Sequence, residues 1–300
     1  MDAPPPRENV RQFVKVAKHL KRIGLRTPEI LQTDSANGFV ILEDFGLDTF
    51  TRLLAAGCNE QTLYEMAIDV LCVLHRHPEA AAIDVPAYDE AKLLEETLRF
   101  VDWHYPARCG SVITVAARQA YRESWQAVLH AMPETSIGLV LRDFHVDNLM
   151  RVVDDDQRIV CGLLDFQDAV IGAHAYDLMS LLEDARRDID TSLITAMKAR
   201  YFEAMPDIDQ VAFEAWYAVL GAQRHSKIIG NFTRLCIRDG KCHYLDHIPR
   251  VIRLLRGALT HPALAPVNRW LDRYFPDWPA PMSGFDPAAL RLLLAETGAS

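Results

Sequence analysis

Two short polar loops hold most of the side chains able to do chemistry. Arg142-Asp143-Phe144-His145-Val146-Asp147-Asn148 brings carboxylates, an imidazole and an amide into seven residues, and Asp165-Phe166-Gln167-Asp168 adds two carboxylates and a second amide. A hard cation such as Mg²⁺ takes oxygen ligands and keeps part of its water, so one carboxylate, one amide oxygen and nucleotide phosphates make a workable shell. Asp165 and Asn148 can supply the protein's share. Asp143, five residues before Asn148, is a separate carboxylate that can hold a hydroxyl while the metal neutralises phosphate charge. The competing reading is that all three merely cap strand ends. Three correctly spaced groups on two loops are hard to obtain from turn chemistry alone. Asp147 reads instead as a loop or capping residue, and Asp154-Asp155-Asp156 as a solvated turn.

These loops need strands to hold them. Three short apolar runs, Leu139 to Leu141, Leu149 to Val153 and Ile159 to Leu164, flank them and are separated by polar stretches. Before them, a first helix is expected from Arg7 to Ile23, with Val10, Phe13, Val14, Ala17 and Leu20 on one face, Arg11, Lys15, Lys18, Lys21 and Arg22 directed mostly outward, and Gly24 as its C-cap. Glu29 to Thr33 and Phe39 to Glu43 read as two strands joined through Asn37-Gly38, a hairpin signal. The rest is helical by periodicity, near 60–75, 89–104, 112–130, 176–187, 210–236 and 245–258. His75 and His77 sit where a helix ends and where positive charge meets the helix dipole favourably. Trp103, Trp125 and Trp216 fall in helical patterns and read as core. The Arg186-Arg187 pair fits a solvated helix face as well as a substrate contact.

Composition narrows the partners. The 300 residues carry 32 Lys and Arg against 41 Asp and Glu, a net charge of -9, and no dense basic stretch. That argues against nucleic acid, whose binders need a clustered cationic face. No apolar run approaches the ~18 residues that span a bilayer, and the first residues lack the order of a signal peptide, so no membrane is expected and the location expected is the cytoplasm. Six cysteines contain no Cys-x-x-Cys pair, and reduced, mostly buried thiols are the expectation. Cys236, Cys242, His243 and His247 cluster, but without zinc-finger spacing.

Together these blocks resemble a known family, the protein-kinase-like aminoglycoside phosphotransferase and choline kinase superfamily. Asp143-x-x-x-x-Asn148 followed by Asp165 is similar to its catalytic and metal loops. The resemblance is strongest to the bacterial anomeric kinases of N-acetylmuramate and N-acetylglucosamine in cell-wall recycling. It rests on Leu141 to Met150, on Leu164-Asp165-Phe166-Gln167-Asp168-Ala169 with Tyr176-Asp177-Leu178, on Asp184-Ala185-Arg186-Arg187-Asp188, and on Gln223-Arg224 through Arg238-Asp239-Gly240-Lys241. These blocks stand in the family's order over most of residues 1–275.

The resemblance implies an α+β, protein-kinase-like two-lobe fold with a truncated small β lobe, residues 1–45 with the hinge, and a large α-rich lobe, 46–300. It implies Asp143 as the catalytic aspartate and Asn148 and Asp165 as metal ligands. Glu43, Asp44 and Phe45 would be the hinge whose backbone meets adenine, Met150 and Leu164 part of the apolar floor beneath it, and Asp177 a buried brace under the catalytic loop. Gln167, Asp168 and Arg224 become sugar-pocket candidates. Mg²⁺ is the implied cofactor, ATP the co-substrate and a small amino sugar the acceptor, in a monomer. Two positions depart from the family. Leu141 stands where many relatives have His two residues before the catalytic Asp, with His145 able to compensate. Met1-Asp2-Ala3-Pro4-Pro5 resembles the end of a third strand, so the phosphate-covering hairpin is expected to be missing. An aminoglycoside or other small-alcohol kinase, and a non-catalytic nucleotide-binding relative, stay open as alternatives; an acidic pocket would favour the first of these and loss of turnover the second.

Overall fold

The computed structural model describes residues 10–154, 156–280 and 286–296. In chain order its elements are α1 (Val10–Arg22), β1 (Ile30–Asp34), β2 (Phe39–Leu42), α2 (Phe50–Ala55), α3 (Glu60–Arg76), α4 (Glu90–Arg99), a π turn (Phe100–His104) and α5 (Tyr105–Cys109). There follow α6 (Val115–His130), β3 (Ile137–Val140), β4 (Leu149–Val153), β5 (Ile159–Leu163), β6 (Val170–Ala173), α7 (Ala175–Leu182) and α8 (Thr191–Ala204). The chain continues through α9 (Gln210–Asp239), α10 (Ile248–Ala258), α11 (Ala265–Tyr274) and α12 (Pro287–Glu296). This α+β chain forms two compact units. One takes the described residues up to Ala87 with Thr135–Leu182 and Ile189–Gln210; the other takes Tyr88–Glu134, Glu183–Asp188 and the described residues from Val211 on. No helix among the described residues is long and apolar enough to cross a membrane.

The first unit carries the strands. Helix α1 buries Val10, Phe13, Val16, Ala17 and Leu20, while Val14 is only half-buried, so Val16 takes the core place that the sequence suggested for Val14. Gly24, at φ +87°, ends it. The Arg7 start and the Met1 to Pro5 stretch lie outside the described residues. In the β1–β2 hairpin, Asp34 accepts the Ala36 and Asn37 backbone N–H groups and Gly38 takes φ +79°, the conformation glycine adopts most cheaply. Strands β4 and β5 form a second antiparallel hairpin with Met150 opposite Gly162, and β3 pairs with β6. Every residue of α7 is buried.

Several local expectations change. Strand β6 and helix α8 were not legible: β6 is only four residues, and α8 buries just Leu193, Met197 and Tyr201. His75 is no dipole cation. Its ring stacks on His174 at 3.9 Å and its Nδ1 lies 2.7 Å from the Tyr201 hydroxyl. Burial first, and His174 next, push its pKa well below the ordinary histidine value, so the ring is neutral.

The second unit is helical. Tyr121 and Trp125 of α6 pack with Phe100 and with Trp270 of α11, whose indole N–H donates to the Ala117 carbonyl at 2.9 Å. The expected 89–104 helix is divided, α4 stopping at Arg99 before the π turn. The expected 176–187 helix stops at Leu182, and the Asp184 carboxylate then accepts the Arg186 N–H. Trp125 is wholly buried, whereas Trp103 and Trp216 are half-buried. One cysteine expectation is corrected: Cys236 and Cys242 form a disulfide across the turn after α9. Their sulfurs approach within six residues because Gly240, at φ +70°, reverses the chain. Cys72 and Cys161 are buried thiols and Cys109 is exposed.

Candidate active site

The loop expected to be catalytic begins where β3 ends, and a buried carboxylate fixes its start. Asp177, on the first turn of α7 and 0% exposed, accepts the backbone N–H of Leu141 at 2.6 Å and of Arg142 at 2.9 Å. Ser180, one turn on, donates to the Arg142 carbonyl at 3.3 Å. Those bonds hold Arg142 at φ +71°, a left-handed conformation that a branched or long side chain takes only when its surroundings impose it. Leu141, where an imidazole was the family's usual choice, is buried and contributes through its backbone. His145 is also buried: its carbonyl accepts the Asn148 N–H at 2.9 Å and its Nε2 is 3.4 Å from Asn148 Nδ2.

Asn148 joins the two loops. Its Nδ2 donates to the Asp143 carbonyl at 2.9 Å and reaches Asp165 Oδ2 at 3.3 Å, while the Leu164 N–H donates to its backbone carbonyl at 2.9 Å. Asp165 itself stands at φ +56° and is exposed, and the Gln167 amide donates to its Oδ1 at 2.6 Å. With its nitrogen so committed, Asn148 Oδ1 accepts no hydrogen bond among the described residues. An unpartnered amide oxygen beside a carboxylate is the donor set a hard divalent cation prefers. No group of three or more His, Cys, Asp and Glu side chains among the described residues could enclose a metal. A cation here therefore depends on ligand oxygens and water for the rest of its shell.

The segment expected to be the hinge and the residues expected to form the floor also meet. Glu43 is held by Arg26, with Nη1 on Oε2 at 2.8 Å and Nη2 on Oε1. That ion pair keeps the Glu43 carboxyl below its ordinary pKa, against a smaller opposing effect of burial. The Arg26 guanidinium also lies 4.7 Å over the Phe45 ring. Phe45 in turn covers Gly162: a Cβ there would stand 2.7 Å from the ring. Since Gly162 is the strand partner of buried Met150, Phe45 and Met150 belong to one apolar layer. Leu164 is half-buried at its end, and exposed Asp44 accepts the Gly46 N–H at 2.8 Å.

The other candidates fall less neatly. Asp168 is exposed and Gln167 half-buried against Asp165. Arg224 lies in the second unit, buried on α9. Asp147 accepts the Thr51 hydroxyl, the loop role expected of it, and Asp154 accepts the backbone and side chain of Arg158. Arg26 was missed from sequence. A lone arginine after the first helix gives no signal until the fold lays it beside Glu43.

Asp177→Ala is expected to cost about 2–5 kcal/mol, because it strands two backbone N–H groups. Urea denaturation measures it. Stability equal to the parent would show that water or another acceptor replaces the carboxylate.

Comparison with known proteins follows the same direction. The profile of the phosphotransferase enzyme family matches residues 1–213. The N-acetylmuramate/N-acetylglucosamine kinase of Caulobacter vibrioides is 38% identical over 275 residues, covering 89% of this chain and 75% of that protein. The protein of the same name from Pseudomonas aeruginosa is 35% identical over 280 residues, covering 90% and 80%. Among solved structures, a choline/ethanolamine kinase family protein from Mesorhizobium loti superposes with a TM-score of 0.60 at 13% identity, over 95% of this chain and 83% of that one. The ADP-bound aminoglycoside phosphotransferase APH(2'')-Ib gives 0.54 at 14% identity, over 83% and 82%. At such identities the structural likeness shows the fold alone.

Proposed function

The chain belongs to the phosphotransferase enzyme family and is a small-molecule kinase, and from that premise we propose that it transfers the γ-phosphoryl group of MgATP to the anomeric hydroxyl of an N-acetylated amino sugar. The acceptors are N-acetylmuramate and N-acetylglucosamine, and the product is the sugar 1-phosphate. The observation that carries the reading is the Asn148 amide, which holds the Asp143 backbone and reaches the Asp165 carboxylate with one nitrogen. The choice of sugar rests on the names and lengths of similarity of the curated relatives.

Asp143 orients the acceptor hydroxyl and takes its proton as the new P–O bond forms. An anomeric hydroxyl is more acidic than an ordinary sugar alcohol, which lowers the demand on that carboxylate. Asn148 Oδ1 and Asp165 would hold Mg²⁺, whose contribution when bound is to draw the phosphate oxygens together and neutralise their charge. Asn148, tied to both loops, keeps the base and the metal aspartate at a fixed spacing. The backbone of Glu43 to Phe45 presents the adenine edge, with Met150 and Leu164 below, and Gln167 and Asp168 are the groups offered to the sugar.

Phosphorus NMR of products from N-acetylmuramate, N-acetylglucosamine, an aminoglycoside and choline tests the assignment. A sugar 1-phosphate is expected from the first two. Phosphate appearing only on the aminoglycoside or choline would replace the sugar, and transfer to none would favour a nucleotide-binding protein without turnover.

A further inference from the structure

At the end of α4 the second unit is packed backbone to backbone. A Cβ on Gly230 of α9 would stand 2.3 Å from the carbonyl carbon and oxygen of Arg99 and 2.7 Å from the Phe100 nitrogen. At that crossing α4 gives way to the π turn, a rare feature that recurs at functional sites. The crossing sets Arg99 beside one face of α9, where Asn231, Arg234 and Arg238 follow one another at spacings of three and four residues. Arg99 Nη1 donates to Asn231 Oδ1 at 3.2 Å, and its Nη2 lies 3.5 Å from Glu95. This uses the acceptor of the Asn231 amide and leaves its Nδ2 donor without a hydrogen bond among the described residues.

Arg234 is the anomaly at this crossing. It is half-buried, and its Nε is closed off from solvent with no hydrogen-bond partner. No carboxylate forms an ion pair with it among the described residues. Asp239 attracts it from a distance, but both Asp239 oxygens are taken by Arg238, at 2.7 and 2.8 Å. Burial first, then the like charges of Arg99 and Arg238, pull its pKa below the ordinary arginine value. A guanidinium lowered into protein beside two others, with only the distant, already paired Asp239 to offset it, destabilises the fold unless an anion shares the place.

We propose that Arg99, Asn231 and Arg234 form a binding site for a small oxyanion group, a carboxylate or a phosphate ester. The Asn231 amide and the Arg234 guanidinium, three residues apart on α9, supply N–H donors of the kind that carboxylate and phosphate oxygens accept. Arg99 sets the amide's orientation by holding its oxygen. The inference uses no step of phosphoryl transfer and stands apart from the reading above.

Calorimetry and thermal unfolding on the whole chain test it, with inorganic phosphate or D-lactate titrated into chloride buffer at constant ionic strength. Arg234→Gln is compared with Arg256→Gln, an exposed arginine on α10. One of the two anions is expected to bind at one site, about ten- to a hundredfold more weakly in Arg234→Gln and unchanged in Arg256→Gln. Tighter phosphate marks the ligand as a phosphate ester, and tighter D-lactate marks it as a carboxylate. In chloride alone Arg234→Gln should unfold at the same or a higher temperature, because it removes a repelled charge. Binding of neither anion, equal weakening in both variants, or a lower unfolding temperature for Arg234→Gln in chloride would each overturn the proposal.

Discussion

Asp143→Asn is expected to lower turnover about 10²- to 10⁴-fold, the range a positioned general base supplies, while nucleotide affinity stays nearly unchanged. The substitution is a clean one. Asn148 holds Asp143 by its backbone carbonyl, not by its carboxylate, so an isosteric amide leaves the link between the loops in place. What disappears is the acceptor for the hydroxyl proton, needed only as the transition state forms. Turnover is read by coupled ADP release and affinity by calorimetry with MgATP. Near-normal turnover would remove Asp143 as the base.

Asp165→Asn is expected to abolish the Mg²⁺-dependent increment of nucleotide binding and to reduce turnover by at least about a hundredfold, since the remaining amides carry no charge to offset the cation. Asparagine is chosen because position 165 has φ +56°, where Asn is tolerated far better than other residues. Its one amide oxygen can still accept from one of the Asn148 and Gln167 amides that now reach the two oxygens of Asp165, and the other contact is lost. Asp165→Ala should add a loss of stability of about 1–2 kcal/mol from the left-handed backbone. Calorimetry with ATP at several Mg²⁺ concentrations decides: the same metal dependence in Asp165→Asn and the parent would move the metal elsewhere.

How much of this could be read beforehand follows the range of each interaction. Asp143, Asn148 and Asp165 stand out because their spacing is local and their types are rare together. The α1 face, the Asn37-Gly38 turn and the long α9 pattern are legible for the same reason: each is written within a few turns of chain. The left-handed backbone of Arg142 and Asp165 is not, because it is imposed by Asp177, Ser180 and neighbouring loops. Arg26 declares itself only through Glu43 and Phe45, and His75 only through His174 and Tyr201. The break of α4 at Arg99 depends on Gly230, whose neighbour Asn231 is 132 residues away from Arg99. The Cys236–Cys242 bond escaped because a spacing of six fits no common motif, and its closure needed Gly240 to turn the chain.

The two units are woven from alternating stretches, the chain passing from one to the other after Ala87, Glu134, Leu182, Asp188 and Gln210. This has a consequence for biosynthesis. When the ribosome has made α4 to α6, these helices can pack on one another, but the apolar faces they turn to α9 and α11 have no partners, because α9 and α11 are still to be translated. The first unit likewise waits for α8 before its last stretch is in hand. Neither can condense as a finished body early in synthesis, and the growing polypeptide must carry exposed apolar helices for more than a hundred residues. Holding chaperones are the natural guardians of that interval. For the same reason no proteolytic cut or gene truncation can release one unit as a single continuous fragment.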